Sequence, residues 1–497
     1  MTWLPVLPLL LPLAGAIAMI AVWGRFRLHR GLGVAVSLGQ LAVAASALSA
    51  VGGRRILVTQ VGGWAAPYGI SLVVDTLAGV LLALSAFTAL VVTTYGAASL
   101  PTRLEKRGFH PLLQLLLLGV NGAFVAGDLF NLYVWFEVLL IASFVLLVLG
   151  RKQSQLRSAN RYVAINLVAS MLFLSATGLL YGATGTLNLA QLSERVAAVE
   201  TPGLIIAISM LFLVAFGIKA ALFPLFFWLP GAYVTPPPAI SAVFAGLVTK
   251  VGVYALMRVF GLLFLPLPGF PTELLLGLAL VTMVVGVFGA VSQSDIRYIL
   301  AFHSISQVGY MVLGLALGTK LGFAGALVFI VHHALVKGAL FLMAGVIRRE
   351  AGSFELDRVG GLFRARPDLS LLFGIAAASL AGLPPFSGFW AKLLVVRASL
   401  EAGSWLAAGV ALAVGILTLY SMTKIWARAF WKPHPDSGHQ APPSSSRWAL
   451  ASPVAVMVSA SVFLGVAPEA LVTLANDAAA TLLDATHYRA SVLGGTP

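Results

Sequence analysis

The chain has 497 residues, of which 60% are hydrophobic and 10% charged, with a formal net charge of +14 and a mean hydropathy of +0.98. So few charges in so long a chain exclude an ordinary soluble globular protein. The absence of cysteine excludes thiolate-held iron–sulfur clusters, disulfides and thiol chemistry. Apolar runs of about twenty residues recur from end to end, each long enough to cross a bilayer as a helix. The alternating ten-residue pattern of a membrane β-barrel does not appear. The fold class is therefore an all-α polytopic membrane protein, and the excess of Lys and Arg reads as cytoplasmic loops, not as a nucleic-acid surface.

In chain order, about fourteen spans are predicted near residues 3–24, 31–50, 71–95, 109–127, 129–150, 161–184, 203–229, 236–260, 270–292, 297–318, 321–347, 369–399, 402–431 and 448–473. The first run is followed by its first basic residue, Arg25, the reverse of a cleaved leader, so it reads as a retained span. Loops after odd-numbered spans carry most of the Lys and Arg, among them Arg25, Arg103, Lys152, Arg348, Arg364 and Lys432. Loops after even-numbered spans hold little beyond Arg54, Arg55, Arg195 and Lys320. This bias predicts cytoplasmic odd loops and both termini outside the cell membrane. The Pro- and Ser-rich stretch 432–447 reads as a flexible surface link. There is no Walker pattern and no glycine fingerprint after a strand, so nothing points to a nucleotide.

Charges within spans are expensive and are functional candidates by default. Glu137 lies mid-span among apolar neighbours. Lys219 lies mid-span five residues before Pro224, which cannot donate to the carbonyl of Ala220 and so breaks the helix. Broken helices at membrane depth are tolerated where they line a cavity. Lys250 follows in the next span. His303, Gln307 and Tyr310 are spaced to share one helix face as a hydrogen-bonded polar stripe, and His333 and Lys337 share another. Pro384 and Pro385 interrupt a second span just before Lys392, repeating the pairing of break and lysine. The row Glu137, Lys219, Lys250, His333 or Lys337, Lys392 offers proton transfer, with no metal-ligand cluster and no cofactor motif. Asp75, Asp128, Lys424 and Arg428 lie near predicted span ends and read as interface or subunit contacts.

At these residues a resemblance appears. The segments VWFEVLLIASFVLL, FGIKAALFPLFFWLPGAYVTPPPAISAVFAGLVTKVGVYALMR, SDIRYILAFHSISQVGYM, HHALVKGALFLMAG and LAGLPPFSGFWAKL resemble, in order, the antiporter-like membrane subunits shared by Mrp cation/proton antiporters, respiratory complex I and membrane-bound hydrogenases. The length is most similar to the D-type Mrp subunits. The resemblance implies fourteen helices, with spans four to eight (109–260) and nine to thirteen (261–431) as inverted-topology repeats, broken at spans seven and twelve. Residues 1–108 carry the first three spans, and 432–497 a loop, the last span and a short tail. It further implies that Glu137 pairs with Lys219, that Lys250 continues the row and Lys392 ends it, and that the chain works in a hetero-oligomer with other Mrp subunits. The expected function is exchange of external protons for cytoplasmic sodium; the alternative is a proton-pumping membrane subunit of a complex I-like or hydrogenase redox complex. The row offers mostly nitrogen, whereas sodium favours oxygen ligands, so the sodium path is left open.

Overall fold

The apolar runs become helices because a backbone in hydrocarbon must satisfy its polar groups within its own segment. The computed structural model describes residues 3–267, 269–436 and 447–494, so most of the 432–447 link lies outside the described residues. Eleven described helices are long and apolar enough to cross a membrane. They are α2 (Phe26–Ala50), α3 (Thr76–Ser99), α5 (Leu129–Val148), α6 (Gln153–Thr184), α7 (Pro202–Ala220), α9 (Pro238–Phe264), α10 (Thr272–Ser292), α11 (Ile296–Ala316), α12 (Lys320–Ala351), α15 (Trp405–Trp431) and α16 (Arg447–Val466). The other three predicted spans hold shorter apolar helices, α1 (Leu7–Ala21), α4 (Phe109–Val125) and α13 (Pro367–Ala381). The short α8 (Leu229–Val234) and α14 (Ser387–Glu401) resume the chain after two interruptions.

Two regions differ from the sequence expectation. The segment before α3 opens as a strand, not a helix: β1 (Leu57–Gln60) pairs antiparallel with β2 (Ser71–Val74), Leu57 opposite Val74. The run predicted at 448–473 ends at Val466, and Pro468 precedes a separate helix, α17 (Glu469–Leu483), followed by α18 (Ala485–Leu493). Proline at the start of a helix is favoured because its missing N–H is an orphan there anyway. The expected short tail is thus helical, and Leu482 and Tyr488 are buried.

The apolar stretches of α9 and α12 are buried on every face and that of α11 nearly so. Around them α5, α6, α10, α15 and α16 turn large apolar side chains outward, among them Ile141, Met171, Phe288, Ile416 and Phe463, as a lipid-facing wall would. Three residues of the row, Lys250, His333 and Lys337, sit on these innermost helices and are fully buried.

The starts of α5 and α11 are built alike. Asp128 caps α5 through the Asn131 N–H, and Asp295 caps α11 through the Arg297 N–H. Asp128 bridges Asn188 and Asp295 bridges Glu355, each partner lying just beyond the following long helix. The amide bonds match too: Leu129 donates to Leu187 and Leu189 to Gly127, while Ile296 donates to Phe354 and Leu356 to Ser294.

Ion pairs that bury their carboxylates tie distant segments together. Arg258 clasps Asp75 with both nitrogens at 2.6 and 2.7 Å, each side chain almost fully buried. Asp75 also caps α3. This corrects the reading of Asp75 as an interface residue. Glu105 receives Arg30 at 2.8 and 2.7 Å and pairs with His110 at 3.1 Å. Burial would raise the Glu105 carboxyl, but these bonds outweigh it and hold its pKa below the ordinary value.

Candidate functional site

Helix α7 stops at Ala220. Ala221 adopts the left-handed conformation (φ 64°), its N–H bonding the carbonyl of Ile218 and that of Leu222 bonding Gly217. This is the helix-ending geometry that glycine usually supplies, and the three residues that follow carry Pro224 outside any helix. Two hydrogen bonds pin the break: Trp228 donates to the Ile218 carbonyl (2.8 Å), and the Phe223 N–H to Thr282 of α10 (3.0 Å). Gly252 of α9 abuts it so closely that a Cβ there would lie 2.5 Å from the Ala220 nitrogen.

Lys219, one residue inside the break, is buried. Its ammonium donates to the Ser170 hydroxyl at 3.3 Å, and Ser170 in turn donates to the Glu137 carboxylate. Glu137 and Lys219 make no direct ion pair; the serine of α6 stands between them. Lys219 also lies over the Phe136 ring, 5.5 Å from its centroid, a favourable placement for a cation. Ser170 went unread in the sequence because a lone serine in an apolar helix carries no pattern.

Lys250 is fully buried on α9. It donates to the Ala245 carbonyl and, at 3.4 Å, to Thr249. The carbonyl is within reach because α9 widens to a π-helical turn over Phe244–Val248, a distortion frequent at functional sites. Lys337 donates to the Leu300 carbonyl at 2.5 Å. His333, also on α12, lies within electrostatic range of both lysines. Neither ring nitrogen of His333 has a hydrogen-bond partner among the described residues, and the same holds for the carboxamide of Gln307.

The expected stripe of His303, Gln307 and Tyr310 shares a buried helix, but its members do not bond one another. His303 bonds Ser421 and Tyr310 donates to the Ala411 carbonyl at 2.5 Å, both on α15. The facing helix supplies nearer partners than residues a turn apart do. Tyr310 still leads to the end of the row: the Lys392 ammonium lies 5.5 Å from its ring centroid.

The second break repeats the first. Helix α13 stops at Ala381, Gly382 turns left-handed (φ 93°), and the N–H groups of Gly382 and Leu383 return to Ser379 and Ala378. Pro384 and Pro385 follow, before α14. Lys392 donates to the freed Ala381 carbonyl at 2.7 Å, and the mouth of a cavity of about 280 Å³ opens beside it. Behind the break three hydroxyls meet, Ser387 at 2.8 Å and Ser379 at 3.1 Å from Ser461, with His332 bonded to Ser387 at 2.8 Å. His332 thus supports the break rather than the row. Among the described residues, no group of three or more His, Asp or Glu side chains converges on a point that could hold a metal.

The arrangement can hold and relay protons: an acid and a base joined through a hydroxyl, then buried bases resting on backbone carbonyls. A model of the NADH:quinone oxidoreductase/Mrp antiporter transmembrane family matches residues 126–418, a stretch that contains both breaks and every residue of the row. The chain is 44% identical to the D-type subunit of the Na+/H+ antiporter of Alkalihalophilus pseudofirmus, over 99% of each chain. It is 38% identical to the corresponding subunit of Bacillus subtilis, over 98% of this chain and 99% of the relative. Among solved structures it superposes on a chain of an Mrp complex from Dietzia sp. with a TM-score of 0.92 at 34% identity, covering 99% of this chain and 100% of the other. A chain of the membrane-bound sulfane sulfur reductase, an archaeal respiratory membrane complex, follows with a TM-score of 0.91 at 26% identity, with the same coverage.

Proposed function

Because this chain belongs to the NADH:quinone oxidoreductase/Mrp antiporter transmembrane family, we infer that its buried polar row carries the proton limb of cation/proton exchange. The chain is a D-type subunit of a multisubunit Mrp antiporter, a membrane transporter component and not an enzyme, with other Mrp subunits as partners. A proton-pumping role inside a redox complex is less favoured, since the relatives of higher identity are antiporter subunits.

The observation that carries the reading is the Glu137–Ser170–Lys219 relay at a helix break. With the relay closed, the carboxylate holds the proton on Lys219. With it open, the proton is free to pass on, and Lys250 is the next base along the row. His333 and Gln307 are buried without hydrogen-bond partners among the described residues; buried polar groups need partners, and we infer that water held beside them joins Lys250 to Lys392. Each charge moved across 100 mV is worth about 2.3 kcal/mol, enough to drive an exchange of external protons for cytoplasmic sodium. We assign the sodium path no residues in this chain.

The matched helix starts at Asp128 and Asp295, and the matched breaks, support reading 109–260 and 261–431 as two inverted repeats. We place the basic loops in the cytoplasm and both termini outside. A single Ser154→Cys substitution in this cysteine-free chain should be labelled only from inside; labelling of intact cells from outside would refute the orientation. Exchange itself is tested in vesicles containing the complete complex, by following a pH dye on addition of Na+ or K+. A dye response with neither cation would count against the reading.

A further inference from the structure

We propose that the basic cavity among the ends of α3, α6, α9 and α12 is a binding site for a phosphate-bearing anion, best matched by the headgroup of an anionic phospholipid. The cavity, about 410 Å³, lies between the segment that leads into α9 and the C-terminal turn of α12. Arg103, Lys152, Arg348 and Arg349 line it, all exposed, and none makes an ion pair among the described residues. Arg297 also lines it but is already held by Asp295 at 2.6 Å. Every Asp and Glu of the chain is among the described residues, and none lines the cavity.

Loop cations are expected on a cytoplasmic face, and two arginines in the last turn of α12 suit its helix dipole. Neither reason calls for four unpaired cations converging on one cavity. The arginines are also held in place: Phe354 lies under both the Arg348 guanidinium (4.9 Å to the ring centroid) and that of Arg297 (3.8 Å). A planar guanidinium fixed in this way presents its donors as a fork suited to phosphate oxygens. The wall is mixed, with Ser99 and Gln155 beside Leu100 and Leu450. Basic pockets between spans on the cytoplasmic side are places where lipid headgroups bind. The same positive field disfavours a cation here.

Bound there, an anion would tie the segment before α9 to the end of α12, the two helices that carry Lys250 and Lys337. The proposal goes beyond the exchange reading. Its test uses no gradient, so its failure leaves that reading standing.

The test is binding to the purified, delipidated complex of short-chain phosphatidylglycerol, of phosphatidylcholine and of inorganic pyrophosphate. The complexes compared are the parent, an Arg348→Gln/Arg349→Gln double variant, Lys152→Gln, and a control, Arg364→Gln, which removes an exposed cation outside the cavity. Phosphatidylglycerol should bind the parent and the control saturably and the double variant roughly 10- to 30-fold more weakly, with Lys152→Gln between and phosphatidylcholine not binding. Pyrophosphate binding with the same dependence on these residues, without phosphatidylglycerol binding, would keep the phosphate site and give it a soluble ligand. Equal binding to parent and cavity variants, or binding of neither anion, would overturn the proposal; if the double variant fails to assemble, Lys152→Gln against the control decides it.

Discussion

The two helix breaks use one backbone device with two different charge arrangements. Both stop a helix with a left-handed residue followed closely by proline, and both return two N–H groups into the last turn. At the first, the lysine precedes the break and reaches a carboxylate through Ser170. At the second, the lysine follows the break and rests on the Ala381 carbonyl beside an open cavity, with no carboxylate in the contact. A lysine near an acid can be switched by moving the acid. A lysine on a carbonyl can only be loaded and unloaded by what reaches it. In the proposed relay the break would supply access, and its neighbour would decide the role.

Substitutions of the charges should break this comparison most severely. Lys219→Ala and Lys392→Ala should each abolish exchange in an assembled complex, measured as dye dequenching in everted vesicles. Lys392→Glu should keep part of it, because that position needs only a titratable group. Normal exchange by Lys392→Ala would detach the second break from the row.

Packing at the breaks ranks next. Gly388→Ala would place its Cβ 1.7 Å from the Ser379 carbonyl oxygen, whereas Gly252→Ala meets the Ala220 nitrogen at 2.5 Å. Both should lower thermal stability, Gly252→Ala by about 1–3 kcal/mol and Gly388→Ala by more. The reverse ranking in a melting experiment would contradict the geometry.

Ser170→Ala removes the hydroxyl between acid and base and should slow exchange roughly tenfold, while Ser461→Ala, behind the second break, should leave the rate near parental. Smallest are the left-handed residues themselves. Ala221→Gly should stabilise the chain by about 1 kcal/mol, since alanine is disfavoured in that conformation. Gly382→Ala should destabilise it by at least as much, because its Cβ would also lie 2.7 Å from Cδ of Lys392. Opposite signs in the two melting shifts are the expected outcome.

Much of this was legible in the chain. A lysine beside a proline in an apolar run is so costly that it announces a site, and both breaks fall where Pro224 and Pro384 predict. Ser170 and Arg258 were not legible. One has no pattern, and the other sits at the end of a predicted span, where its burial against Asp75 depends on a residue far away in sequence. The internal bonding of the His303, Gln307 and Tyr310 face was misread because helical spacing says which residues share a face, not what faces them. The division at Pro468 was missed because the apolar run continues across it.

The central claim is that Glu137 and Lys219 act as one switch, and a double-mutant cycle tests it most directly. Exchange is measured in everted vesicles for the parent, Glu137→Gln, Lys219→Ala and the double variant, at equal complex assembly. Each single variant should fall to background, and the double variant should be no worse than either. Partial losses that add in the double variant would mean that the two residues act separately, and the switch would have to be abandoned.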